Sequence, residues 1–140
     1  MLWQTEFNAP DNEPYNIVEL SNTNGMRVQF MDWGATWLSC KVPVSGGLRE
    51  VLLGCKVADY PHQTAYLGAS VGRYANRIAN AQFAMGQRML QLVANQGKHQ
   101  LHGGKEGFDK RRWKVDYYGR NFVRFSLASP DGDQGFEGNV

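Results

Sequence analysis

Tyr15-Asn16-Ile17-Val18-Glu19-Leu20-Ser21-Asn22-Thr23-Asn24-Gly25-Met26-Arg27-Val28-Gln29-Phe30-Met31 holds two short apolar runs around a polar centre. Both flanks alternate with period two. Ile17 and Val18 supply the apolar weight of the first, and Met26, Val28 and Phe30 share one side of the second. Between them Asn24-Gly25 offers the positive φ of a tight reversal, so the stretch predicts a β-hairpin.

The same device recurs outward along the chain. Trp37 to Val42 and Arg49 to Leu53 flank Pro43-Val44-Ser45-Gly46-Gly47 and predict a second hairpin. Gly68 to Tyr74 predicts a single strand, Phe83 to Leu92 a hairpin turning at Gly86, and Trp113 to Tyr118 with Phe122 to Leu127 another turning near Gly119. At least seven short strands at this spacing argue for antiparallel sheets. Helical signals are few: Lys56 to Tyr60 allows one turn, which Pro61 should end. The predicted class is all-β.

Composition agrees. The chain has 140 residues, 42% hydrophobic and 20% charged, with 16 glycines and 12% aromatics, which suits turns and strands within one domain of ordinary size. A net charge of +2 is too small for a polyanionic partner. The basic run Lys110-Arg111-Arg112 with Lys114 reads as a solvated surface patch. No apolar stretch approaches the ~18 residues of a membrane span, and no secretory leader is evident, so a cytoplasmic location with no membrane partner is expected. Cys40 and Cys55 then read as reduced, buried thiols.

Two segments concentrate chemistry: Gly72-Arg73-Tyr74-Ala75-Asn76-Arg77-Ile78 and Leu101-His102-Gly103-Gly104. They offer a guanidinium, a carboxamide and an imidazole beside glycines that let a ligand approach the backbone, a set suited to a polyhydroxylated molecule. Plainer readings exist. His102 could fix a loop through backbone carbonyls, Arg77 could be a surface arginine at a strand end, and in a regular strand Asn76 and Arg77 would face opposite ways. Both serve one pocket only if Ala75 to Ile78 forms a loop or bulge. His99 stands three before His102, but two imidazoles without further ligands make a poor metal site.

Spelled in full, these segments resemble the aldose 1-epimerase (galactose mutarotase) family. So do Asp32-Trp33-Gly34-Ala35-Thr36, Glu50-Val51-Leu52-Leu53-Gly54, Leu67-Gly68-Ala69-Ser70-Val71-Gly72-Arg73, Gly107-Phe108-Asp109-Lys110-Arg111-Arg112-Trp113 and Ser129-Pro130-Asp131-Gly132-Asp133-Gln134-Gly135-Phe136, in family order. Departures are Glu137, where members generally carry proline, and Met85, where they carry a polar turn residue.

The resemblance implies an antiparallel β-sandwich of the galactose mutarotase type, incomplete. Residues 1–140 would be the N-terminal part of a single sandwich domain, because members generally run more than twice as long. It implies interconversion of the α- and β-anomers of galactose, glucose and related aldoses, without metal or organic cofactor. Asn76, Arg77 and His102 would bind the monosaccharide, and the principal acid and base would lie beyond Val140. Arg73 would be structural, pairing with a carboxylate, Gly72 would permit a close backbone crossing, and Ser129 to Gly135 would shape the cleft entrance. The alternative is a non-catalytic carbohydrate-binding module that adds Trp33 or Tyr74.

Overall fold

A computed structural model describes all of Met1–Val140. Eleven strands run in chain order: β1 (Leu2–Asn8), β2 (Pro14–Ser21), β3 (Arg27–Met31), β4 (Thr36–Val44), β5 (Gly47–Glu50), β6 (Arg77–Ile78), β7 (Gln82–Met85), β8 (Arg88–Gln91), β9 (Gln100–Leu101), β10 (Lys114–Tyr118) and β11 (Val123–Ser126). Every strand pairing is antiparallel, and the only helical pieces are four short 3-10 turns. The fold is all-β. The chain forms two compact units: residues 1–70 with 112–126, and residues 71–111 with 127–140.

In the first unit the sheet order is β1-β2-β3-β4-β5. The predicted Tyr15–Met31 hairpin is its centre, with Val18 opposite Phe30 and Leu20 opposite Val28. Tyr15, Ile17, Val18 and Leu20 are all buried, so this strand is covered on both faces. The reversal rests on more than the Asn24-Gly25 pair. Gly25 has φ 86°, but the Asn22 side-chain oxygen accepts the amides of Asn24 and Met26, each at 3.0 Å, and organises a longer loop.

The second hairpin ends earlier than the alternation suggested, at Glu50. Glu50 Oε1 accepts the amides of Cys40 (2.7 Å) and Leu52 (3.0 Å), and Ser39 donates to Oε2, so the carboxylate takes over from the ladder. The β10–β11 hairpin forms as expected, closed by Gly119 N–H to the Phe122 carbonyl. It meets the large sheet through Phe125 and Phe30, whose ring centres are 6.5 Å apart, while Phe30 stacks on Trp37 at 5.7 Å. The N-terminal strand β1 and the pair β6 and β9 were not foreseen. The helical turn runs Val57–His62, through Pro61 rather than stopping before it.

Two expectations are corrected here. Gly68 to Tyr74 is not a strand. Gly68 has φ +61°, and a Cβ there would stand 2.0 Å from the Trp37 carbonyl oxygen, so the chain crosses β4 in a loop only glycine permits. Nor is Arg112 part of a solvated basic patch. Its Nε and Nη2 grip Asp11 at 2.7 and 2.9 Å, Nη1 reaches Asp32 Oδ2 at 2.5 Å, and the carbonyls of Pro14 and Glu13 accept at 3.0 Å. Asp32 is buried and also holds the Asn16 amide and carboxamide. The partners lie 80 to 101 residues away in sequence, where a local charge count cannot see them.

Candidate sugar-binding site

The second unit contains the two chemistry-bearing segments, joined by the shortest ladder of the fold. In it β6 and β9 pair Arg77 with Leu101 and Ile78 with Gln100. Asn76 precedes β6 and His102 follows β9, so the pairing brings them face to face. The His102 amide donates to the Asn76 carbonyl at 3.0 Å, and the Asn76 amide donates to His102 Nδ1 at 2.9 Å. Both residues are left-handed, with φ 67° and 51°. Because Nδ1 accepts, the proton of the neutral ring belongs on Nε2.

This meets the condition that Asn76 not be regular strand. Its side-chain oxygen accepts Arg77 Nη1 at 3.3 Å, so the two side chains meet instead of diverging. Gln96 Oε1 accepts Arg77 Nε at 2.6 Å and steadies the guanidinium. Its remaining donors project from an exposed residue. Beside Arg77 lies a hollow of about 300 Å³ lined by Tyr74, Arg77, Ile78, Phe83 and Phe136. A guanidinium over an aromatic-lined hollow can bind hydroxyl pairs while the rings cover apolar C–H faces.

The turn after β9 is held from within. Asn95 donates its carboxamide to the carbonyls of Leu101 (2.9 Å) and Gly104 (3.2 Å) and accepts the Leu101 amide (2.7 Å). Gly103 has φ +92°, and a Cβ on it would fall 1.6 Å from the Gly72 carbonyl oxygen. A Cβ on Gly72 would meet the Phe108 ring at 2.4 Å, so the expected close crossing is real and involves both glycines.

Arg73 is structural, but its partners are not carboxylates. It donates to the Ser129 hydroxyl (2.8 Å) and to the carbonyls of Ser129, Pro130 and Glu137 at 2.8 to 3.0 Å. Arg111, like Arg112, leaves the supposed solvated patch: it grips Asp133 through two nitrogens. The Arg111 guanidinium holds the Asp133 carboxyl below the usual aspartate range, against the opposing effect of burial, and Ser129 adds a further hydrogen bond. The loop Ser129 to Gly135 is thereby fixed by two arginines.

The aldose 1-epimerase family profile matches residues 16–140. This chain belongs to the aldose 1-epimerase family. It is 71% identical to an aldose 1-epimerase of Haemophilus influenzae, covering all of this chain and 41% of that protein, and 52% identical to one of Escherichia coli over the same shares. Among solved structures, an aldose epimerase homologue from C. elegans superposes with a TM-score of 0.82 at 29% identity, over 89% of this chain and 39% of that one. Galactose 1-epimerase from Lactobacillus acidophilus gives 0.80 at 28%, over 99% and 42%. The chain thus spans about two fifths of the length of the relatives it matches, and its antiparallel fold is that of the aldose epimerases.

Other positions in this family member resolve individually. His99 Nδ1 accepts the Asn80 amide at 3.0 Å, and no three His, Cys, Asp or Glu side chains cluster at metal-binding range. His62 is exposed at the end of its helical turn. Met85 pairs with Arg88 across the β7–β8 turn, and Glu137 forms a two-pronged ion pair with Arg88 at 2.8 and 2.9 Å. Cys40 is buried as expected, but Cys55 is exposed: Gly54 and Cys55 follow the end of β5 in open loop. Sequence reading missed Asn95 and Gln96, for which the amide-rich run Asn95-Gln96 ahead of Gln100 was the available signal.

Proposed function

We propose that this chain is the N-terminal, sugar-gripping portion of a cytoplasmic aldose 1-epimerase that interconverts the α- and β-anomers of galactose, glucose and related aldoses. The observation that carries the reading is the union of Asn76, Arg77 and His102 in one hydrogen-bonded strip, of which Arg77 lines the hollow, in a member of that family. Anomer exchange needs a proton delivered to the ring oxygen and another removed from the C1 hydroxyl. The C1–O5 bond then breaks, the C1–C2 bond rotates, and closure returns both protons, leaving the other anomer.

Arg77 holds a hydroxyl pair and stabilises oxyanionic character, Asn76 orients the guanidinium, and the Nε2–H of His102 donates to the sugar near its ring oxygen. The principal acid and base belong to a portion of the polypeptide beyond Val140. Residues 1–140 then form part of one sandwich domain that the later portion completes.

Polarimetry of freshly dissolved α-D-galactose tests this. The 140-residue chain alone leaves the rate at the buffer value, whereas the full polypeptide as its gene encodes it accelerates exchange. In the full polypeptide Arg77→Ala weakens sugar binding about 10- to 150-fold, from loss of charge-assisted hydrogen bonds worth ~1.5–3 kcal/mol. Robust turnover by the 140 residues, abolished by His102→Ala, would overturn the placement of the acid and base. Sugar binding without anomer exchange by the full polypeptide would make it a binding module instead.

A further inference from the structure

Asp109 lies in the 3-10 turn Phe108–Lys110, just after Gly107, and its Oδ1 is buried without a hydrogen-bond partner. A methyl group built on Gly107 would stand 2.6 Å from the His102 carbonyl oxygen, 2.9 Å from Asp109 Oδ1 and 3.4 Å from the Gly72 carbonyl oxygen. Three oxygens crowd one small space. The Phe108 amide serves the Gly72 oxygen at 3.3 Å. A carboxylate here would bring a full negative charge among acceptors, whereas a carboxylic acid can donate from the orphaned Oδ1.

We propose that Asp109 is a proton-bearing carboxyl that donates to the His102 carbonyl and so acts as a positioning residue for the imidazole. The role at the sugar rests on the reading of His102 given above. The His102 backbone is left-handed and tied to Asn76, so a bond to its carbonyl adds a hold close to the ring it presents.

Burial raises the Asp109 carboxyl above the ordinary aspartate range, against the lowering effects of Lys110, of its own backbone amide and of His102. Arg111 stands over the neighbouring Phe108 ring at 5.8 Å, but its charge is committed to Asp133. A raised folded value means the native state keeps a proton that the unfolded chain has lost. The hold on His102 is therefore complete at low pH and is released as pH rises through the folded value.

The test uses the full polypeptide as its gene encodes it, with carbon-13 NMR of the Asp109 carboxyl, nitrogen-15 NMR of His102 and galactose titration. Expected are a carboxyl midpoint above the ordinary ~3.9 and an Nε2–H tautomer at His102. Sugar affinity should fall as pH rises through that midpoint. Asp109→Ala loses about tenfold in affinity, and Asp109→Asn, whose amide can donate at every pH, restores most of it and flattens the pH dependence. An ordinary carboxyl midpoint, or an Asn variant as impaired as the Ala variant, overturns the proposal. If Asp109→Ala fails to fold, the carboxyl titration and the Asn variant still decide. Absence of galactose binding by the unaltered protein would refute the sugar reading, while the carboxyl and imidazole signals would still settle the Asp109 proton.

Discussion

Arg112→Ala tests whether the first unit is held by its buried charges. The substitution removes a guanidinium that satisfies Asp32, Asp11 and the carbonyls of Pro14 and Glu13 at 2.5 to 3.0 Å. Asp32, 1% exposed, keeps its bonds from Asn16 but loses its counter-charge. Stranding one member of a buried pair costs ~3–5 kcal/mol. Asp11 has 34% of its side chain exposed, so screening by water limits its share to at most ~1 kcal/mol.

Against a total stability of ~5–15 kcal/mol and a urea dependence of ~1–3 kcal/mol per molar, the unfolding midpoint should fall by more than about 1 M. Tryptophan fluorescence during urea titration reports it, because Trp33 bridges to Arg112 and the Trp113 amide donates to the Asp32 carbonyl at 2.8 Å. Replacing both partners, Arg112→Met with Asp32→Asn, should recover much of the loss, since a desolvated charge is then no longer stranded. An Arg112→Ala midpoint equal to that of the unaltered protein would refute the argument.

Gly103→Ala should destabilise the second unit by about 2–5 kcal/mol, combining left-handed strain with overlap on the Gly72 carbonyl. Gly46→Ala shares the left-handed φ, +94° against +92°, but meets nothing within 4 Å, so it should cost only ~1–2 kcal/mol. Equal losses in thermal unfolding would show that the glycine crossing is not tight. Asp133 titrates below the unfolded value of ~3.9 because Arg111 donates to it. Its stabilisation is present above that value and disappears as pH falls through the lower folded one. Asp133→Asn should therefore remove part of the acid sensitivity, and an unchanged acid-unfolding midpoint would contradict the pairing.

The hairpins were legible because alternation and turn chemistry are local: Tyr15–Met31, Phe83–Leu92 and Trp113–Leu127 all pair as the apolar periods suggest. The stretch Gly68 to Tyr74 misled because its small and β-branched residues fit a strand. The Trp37 carbonyl that excludes a Cβ at Gly68 lies 31 positions earlier. Arg111 and Arg112 misled for the same reason, since a local charge count treats neighbouring cations as one patch while their carboxylates are distant in sequence. Candidate site residues were readable through motif spelling. Their supports, Asn95 and Gln96, act through backbone carbonyls and single side-chain contacts that leave no periodic trace.

The histidines show how a motif can identify residues without displaying the backbone bonds they make. His99 and His102 stand three apart, a spacing that invites a shared ligand, yet each Nδ1 accepts the amide of a different left-handed asparagine, Asn80 and Asn76. Neither asparagine's amide enters the β6–β9 ladder, so each needs another acceptor. The histidines provide it on either side of the two-residue β6–β9 pairing. One ring nitrogen of each is thus spent on backbone, which is the plainer reading of His102 realised with an amide in place of carbonyls. That structural bond also selects the Nε2–H tautomer, so loop fixing and sugar donation are not rivals for this imidazole.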